Sequence, residues 1–315
     1  MFGLSTAQLQ LLYDGARQWF TLAGVVIAPV LVVIDAPFGR FTPSKQSIFQ
    51  QPIFLVDGIK SWIVMELVSP ACFLYTFFNA PLSGGPGTQT LSLGSPQSFL
   101  VAAFLIHYLN RALLSPLRTP SRSKSHIIVP LFAVAFNTFN GSLMGSFISS
   151  PDAPTPSAYS LPTFWIGLAM WGLGLAGNII HDEILLNIRR NAKSKGKANA
   201  SKAGEHYAIP HGLLYRFISY PNYFCEWVEW LGFALAADPR LANALVTGGV
   251  SLPTWATLVS GPPSAFLPLL TPPWVFLVSE ILLMFPRAYR GHRWYQSTFG
   301  DSYPKERKIV IPFLL

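Results

Sequence analysis

Apolar residues recur along this chain in seven long blocks, at roughly 17–36, 61–79, 98–116, 127–149, 161–187, 222–237 and 272–288. Most are near the length of about 20 mostly apolar residues that a helix needs to cross a bilayer. Between them lie turn formers: Asp35 to Pro43, Pro81 to Pro96 (with Gly84, Gly85, Pro86 and Gly87), and Ser149 to Pro156. The pattern predicts an all-α integral membrane protein of about seven transmembrane helices in a single domain, residues 1–315. Residues 239–271 are apolar but broken by Pro253, Pro262, Pro263 and Pro268. They read as a luminal or re-entrant insertion.

Composition agrees. Only 11% of the 315 residues are charged and 51% are hydrophobic, against about 25% charged in soluble domains, and the mean hydropathy is +0.39. Disordered, fibrous and most soluble-enzyme classes are excluded. Cys72 and Cys225 are too few for a disulfide scaffold and are not spaced as zinc ligands.

Net charge is +8, and the cations cluster at Arg118 to Lys124, Arg189 to Lys202, and Arg287 to Lys308. Basic loops stay on the cytosolic side. These follow the third, fifth and seventh blocks, which puts the N-terminus in the lumen and the C-terminus in the cytosol. No aromatic-interleaved basic patch sits on a soluble domain, so nucleic acid is excluded as a partner. The segment before the first block lacks a basic n-region, so no cleaved signal is expected. The sequon Asn199-Ala-Ser201 falls in a cytosolic loop and should be silent.

Ionisable groups inside apolar helices are costly and mark cavities or pairs. Glu66 is the one Asp, Glu, Lys, Arg or His of residues 61–79. The third block carries His107-Tyr108 and then Arg111. In the fifth, Asn178, Asp182 and Arg189 fall within about 40° of one another on a helix; in the sixth, Asn222, Glu226 and Glu229 share a face likewise. Each stripe suits either a structural salt-bridge ladder or a grip on a charged, hydroxylated ligand. Arg287, Arg290, His292, Arg293 and Tyr295 end the seventh block, a cluster suited to phosphate. Gly172-Leu-Gly-Leu-Ala-Gly177 matches a dinucleotide-binding pattern only by accident: no strand precedes it, and small residues for close helix packing explain it better. No histidine box or metal set is present, so no metal is expected.

Several stretches together resemble the steroid 5α-reductase family. They are Asn178-Ile-Ile-His-Asp182-Glu, Tyr207-Ala-Ile-Pro-His-Gly, Tyr220-Pro-Asn222-Tyr-Phe-Cys-Glu226-Trp-Val-Glu229-Trp230, and Arg287-Ala-Tyr-Arg-Gly-His292-Arg-Trp-Tyr295. Phe299-Gly-Asp-Ser-Tyr303-Pro and the chain's end follow. The first half matches more thinly, through Trp62 to Glu66, His107-Tyr108 with Arg111, and Phe136-Asn-Thr-Phe-Asn140-Gly141. The resemblance implies a seven-helix, multi-pass enzyme of the endoplasmic-reticulum membrane that uses NADPH, with residues 177–315 as the cofactor-binding region. It implies that Glu66 and Tyr108 bind a 3-oxo group, beside Trp62 and Met65. It assigns cofactor contacts to Asn178, Asp182, Arg189, Tyr207, Asn222, Glu226, Arg287, His292 and Tyr295, with Arg111, Phe136 and Asn140 joining them. Met65 stands where the family usually has glutamine. About 30 residues are inserted between Trp230 and Arg287, and the loop 190–206 is longer.

The reaction this implies is reduction of a carbon–carbon double bond conjugated to a carbonyl in a lipophilic, steroid- or terpenoid-like enone reaching the site from membrane lipid. Tyr108 and a carboxyl of Glu66, kept neutral by burial, would hydrogen-bond the carbonyl oxygen while NADPH gives hydride to the β-carbon. The neighbouring readings are a very-long-chain trans-2-enoyl-CoA reductase and a polyprenol reductase. Outside the reductases stand an isoprenylcysteine-type membrane methyltransferase, disfavoured by Trp294-Tyr295 after Arg293, and a non-catalytic lipid-binding or scaffold protein.

Overall fold

The computed structural model describes residues 4–34, 54–83, 90–194, 207–249, 255–263 and 268–315. The glycine run 84–87, the sequon at Asn199 and parts of the insertion and of the lysine-rich loop lie outside them.

The order of elements is α1 (Thr6–Val33), β1 (Leu55–Val56), α2 (Gly58–Asn79), α3 (Pro96–Tyr108), a π-helical turn (Leu109–Leu114), α4 (Ser115–Arg118), β2 (Ser125–His126), α5 (Ile128–Ile148), α6 (Pro162–Ser194), α7 (Pro221–Ala237), α8 (Arg240–Val246), α9 (Trp255–Ser260) and α10 (Pro272–Phe299). Strands β1 and β2 pair antiparallel, Leu55 opposite His126 and Val56 opposite Ser125.

Local chemistry sets the helix starts. Ser5 and Gln8 form a reciprocal capping box at α1. Asp57 accepts from the Ile59 and Lys60 amides at 2.9 and 2.8 Å at the start of α2. These bonds, the Lys60 amide foremost, hold the Asp57 carboxyl below its usual range.

Among the described residues, five helices are long and apolar enough to span a membrane: Thr6–Val33, Gly58–Asn79, Pro96–Arg118, Ile128–Ile148 and Pro162–Ala192. By length and composition the chain is a multi-pass helical membrane protein. Its exterior suits lipid: Trp19, Val33, Leu131, Phe132, Trp165 and Leu173 are exposed. Three expected boundaries change, the seventh helix running on from 288 to Phe299. The first helix begins at Thr6 rather than near 17, because Tyr13, Asp14, Arg17 and Gln18 continue it as a polar inner face. The fifth runs to Ser194, so the start of the expected 190–206 loop is helical. Arg190 and Arg118 both pair with Glu183 there, tying the ends of α6 and α4 together. The insertion packs back on α1: Arg17 donates to the Leu270 carbonyl at 3.3 Å and Gln18 to that of Gly261 at 3.4 Å.

The Gly172–Gly177 run packs helix on helix. A Cβ on Gly174 would strike the Glu229 backbone of α7, and one on Gly177 would meet the Cys225 sulfur at 2.7 Å, whereas Gly172 faces open space. Gly174→Val should therefore lower the melting temperature of the purified protein, by overpacking worth about 1–3 kcal/mol. Gly172→Val in the same run should melt near wild type. Equal melting of the two variants would remove the packing account.

Beneath the polar groups lies an apolar core of Phe73, Phe77, Phe104, Trp230, Phe233 and Phe276. Phe73 stacks on Phe104 at 4.2 Å, and Trp230 meets Phe276 edge-on at 4.6 Å.

Candidate active site

Two carboxyls and one guanidinium from three parts of the chain meet above this core. Arg111, in the π-helical turn, lies 3.4 Å from Glu66 of α2 and 3.4 Å from Glu226 of α7. The wider turn leaves the Arg111 carbonyl to accept from the Trp62 indole at 3.2 Å. The Trp62 ring has Arg111 at 4.9 Å and Arg122 at 3.7 Å over it.

Tyr108 lies just before that turn, 4% exposed. Asn140 of α5 donates to its hydroxyl at 2.9 Å and to Ser69 at 3.2 Å. Asn137 donates to the Met65 carbonyl at 2.8 Å and offers its own oxygen to Tyr108 at 3.5 Å. Glu66 is within electrostatic reach of the tyrosine hydroxyl. Glu66 and Tyr108, 42 residues apart in sequence, thus share one interior.

The α6 and α7 stripes interlock. Asn178 donates to Glu226 at 3.2 Å and to the Asn222 carbonyl at 3.1 Å; Asn222 in turn donates to Asp182 at 3.0 Å. One turn deeper, Glu229 is fully buried and bonds the His107 ring at 2.7 Å. That contact clamps α3 to α7 beside Tyr108.

A cavity of about 410 Å³ opens beside these groups. Four arginines, Arg111, Arg122, Arg189 and Arg287, line it, with Asn178, Asp182, Asn222, Tyr207, Tyr295 and Trp62 among the rest of the wall. Burial first, then the guanidiniums of Arg111, Arg189 and Arg287, hold Arg122 down at about 10. Four arginines around one cavity, Arg111 among them already shared by Glu66 and Glu226, give it a strongly basic wall that suits an anion.

Most of the expected residues therefore converge. Seven stand off the cavity wall: Glu66, Met65, Tyr108 and Glu226, which lie beside it around Arg111 and Asn137, and also Asn140, Phe136 and His292. Asn140 serves the Tyr108 hydroxyl. Phe136 packs between Phe20 at 4.9 Å and Phe276 at 6.0 Å. His292 meets the Ser219 hydroxyl at 2.6 Å, where Ser219 also meets Tyr303 at 2.6 Å, docking the C-terminal segment behind Tyr220. Asn137, Ser69, Arg122 and Glu280 escaped sequence reasoning. Asn137 had a signal: with Asn140, Gly141 and Gly145 it forms a stripe of amides and small residues on α5, and a Cβ on either glycine would strike the α2 backbone. Arg122 had none, because its loop position says nothing of what it covers.

A family model described as 3-oxo-5-alpha-steroid 4-dehydrogenase matches residues 123–257 and 265–315. The chain belongs to this family. The family is one of oxidoreductases. A bovine 3-oxo-5-alpha-steroid 4-dehydrogenase 1 is 31% identical over 292 residues, covering 93% of each chain. A tomato steroid 5-alpha-reductase DET2 is 31% identical over 224 residues, 70% of each. Uncharacterized protein C9.08c of Schizosaccharomyces pombe is 35% identical over 303 residues, 92% of this chain and 95% of its own. The match to the bovine protein covers nearly the whole chain, so the thin resemblance of the first half is a resemblance of the same family.

Proposed function

We propose that the protein is an NADPH-dependent reductase of a lipophilic enone, of the 3-oxo-Δ4-steroid type named for its relatives. The observation that carries this reading is the convergence of Glu66, Tyr108 and Arg111 against the Asn178–Glu226 and Asn222–Asp182 pairs, beside a cavity with four arginines.

The residues fit a phosphorylated dinucleotide. Arg122, Arg189 and Arg287 supply donors for phosphate oxygens; Asp182 and Glu226 supply acceptors for hydroxyl or amide groups; Tyr207 and Tyr295 supply flat apolar faces. Bound there, the cofactor supplies the hydride.

The chain's own residues do the rest. Tyr108 and the Glu66 acid donate hydrogen bonds to the carbonyl oxygen, where negative charge develops as the β-carbon is reduced, and a proton from solvent then adds to the α-carbon of the enol to give the saturated ketone. Asn140 and Asn137 fix the Tyr108 hydroxyl, so little reorganisation is needed. Arg111, 3.4 Å from each, holds the Glu66 and Glu226 carboxyls in place beside the reacting carbonyl. Aromatic walls exclude water from the reacting bond.

Helices α7 and α10 complete a seven-helix bundle with a luminal N-terminus and a cytosolic C-terminus in the endoplasmic-reticulum membrane. The gathering of Arg122, Arg189 and Arg287 at one cavity supports a common cytosolic side. Substrate then arrives from lipid and nucleotide from the cytosol.

The test is product analysis with purified protein and NADPH, offering a steroid enone, a long-chain enoyl-CoA and a polyprenal in turn. The saturated steroid ketone is the expected product. Reduction of only the thioester or only the polyprenal would replace the steroid reading. Methyl transfer, or no NADPH oxidation with any of the three, would end the reductase reading.

A further inference from the structure

Two short turns outside the spanning helices hold large apolar side chains in the open. Leu213 begins the turn Leu213–Arg216 before α7 and is 61% exposed. Phe313, in the last turn of the chain, is 77% exposed, with Leu314 and Leu315 exposed beside it. Leu213 and Phe313 both take left-handed backbone, at φ +47° and +65°. Glycine and asparagine adopt that conformation readily, and bulky residues do not. A turn facing water would be better served by either. Here a strained backbone presents apolar side chains outward.

Both turns are fastened down. The Leu214 amide donates to the His181 ring of α6 at 3.3 Å. The Lys308 amide donates to the Phe217 carbonyl at 2.7 Å, and the Ser219 and Tyr220 amides donate to the Ile309 carbonyl at 3.1 and 3.0 Å. The last turn closes on itself, the Leu315 amide donating to the Ile311 carbonyl at 3.1 Å. The Phe313 ring rests 5.0 Å from that of Phe217, and the Arg216 guanidinium lies 5.7 Å over the Phe217 ring. The two turns therefore make one apolar foot with a cation at its rim.

The junction with α6 indicates what covers the foot. A Cβ on Gly212 would lie 4.0 Å from the Ile184 Cδ1. At about 100° per residue, Leu173, Ile180 and Ile184 fall within about 40° of one another on α6. Leu173 and Ile180 are exposed, part of the exterior that suits lipid. The foot thus continues a lipid-facing stripe at the end of α6 that carries Arg189 and Arg190. Two short turns fall well below the roughly 800 Å² per partner of a stable protein complex. A bilayer interface, in contrast, takes small apolar insertions flanked by a cation.

We propose that these turns are an interfacial foot: Leu213, Phe313 and Leu314 enter the acyl chains of the phospholipid leaflet on their side of the bundle, with Arg216 at the level of the phosphates. That leaflet is the cytosolic one in the orientation given above. The foot also has a mechanical role. Its Ile309 carbonyl holds the amides of Ser219 and Tyr220, which line the cavity, so seating in lipid steadies that wall.

The experiment uses the full chain in phosphatidylcholine vesicles, with a solvatochromic amino acid at position 213, at 313 or, as a water-facing control, at the exposed position 306. Emission at 213 and 313 should be blue-shifted relative to 306. It should fall about twofold when the lipid chains are brominated, as for groups at the acyl boundary, while 306 changes little. If the chain labelled at 213 does not accumulate, the 313 label carries the comparison. Water-like emission at 313 that brominated lipid leaves unquenched overturns the proposal. A blue shift that grows with protein density and is not quenched also overturns it, making the foot a contact between copies. Phe313→Asn suits the left-handed backbone but removes the seat. It should speed hydrogen exchange of the Ser219 and Tyr220 amides in vesicles by about tenfold. Unchanged or slower exchange, the result for a turn that faces water, overturns the steadying of the wall. Neither measurement needs turnover, so failure of the enone reading leaves both outcomes readable.

Discussion

Tyr108→Phe should lower enone turnover by about 10²–10³-fold, the usual cost of one lost donor to a developing oxyanion, and Glu66→Gln, which exchanges the acid O–H for a weaker amide donor, should lower it by about tenfold or more. Nucleotide binding should remain. Glu66 and Tyr108 are 7% and 4% exposed, so any hydrogen bond they donate is little weakened by water. Tyr108→Phe removes the one oxygen that Asn140 holds at 2.9 Å and leaves the ring packed 4.8 Å from Phe104. Glu66→Gln keeps the shape and a donor but loses the acid and its share of Arg111. Arg122, Arg189, Arg287 and the interlocked asparagines keep their places in either variant. Single-turnover reduction measures the first effect, and calorimetric titration with NADPH the second. Full turnover in both variants would remove these residues from the reaction. Lost nucleotide affinity in both would place them in the nucleotide site instead.

Arg111→Met should produce the largest loss of stability, about 3 kcal/mol. Removing one partner of a buried pair costs about 3–5 kcal/mol, and the low end applies because the Arg111 side chain keeps 29% of its exposure. The cost arises in what remains: Glu66 and Glu226 would face each other with no cation between them, in an interior that also holds Glu280. The same reasoning predicts rescue. Adding Glu66→Gln and Glu226→Gln to Arg111→Met should recover much of the lost melting temperature, since two neutral amides need no counter-charge. Thermal unfolding of the three proteins in one detergent measures this. If Arg111→Met melts like wild type, Arg111 is not the charge that holds these helices together.

Much of the candidate site was legible in the chain because helical periodicity is local. The spacing of Asn178 and Asp182, and of Asn222 and Glu226, forecast two polar faces, and these do lie against each other. Asn140 and His292 show the limit. Each residue type suits a nucleotide contact, yet one holds Tyr108 and the other bonds Ser219. Which neighbour a polar side chain meets depends on another helix, and a single helix's pattern carries no information about that.

The sequence by itself determined the lipid-facing exterior, most helix limits and the polar identity of the interior, because burial in a bilayer leaves its mark residue by residue in hydropathy and charge. Only the tertiary structure decided how charge is shared: Arg111 between Glu66 and Glu226, and Glu229 with His107. Those pairings join residues up to 122 positions apart (His107 and Glu229). In a low-dielectric interior they are set by the distance across helices, which no spacing along the chain encodes.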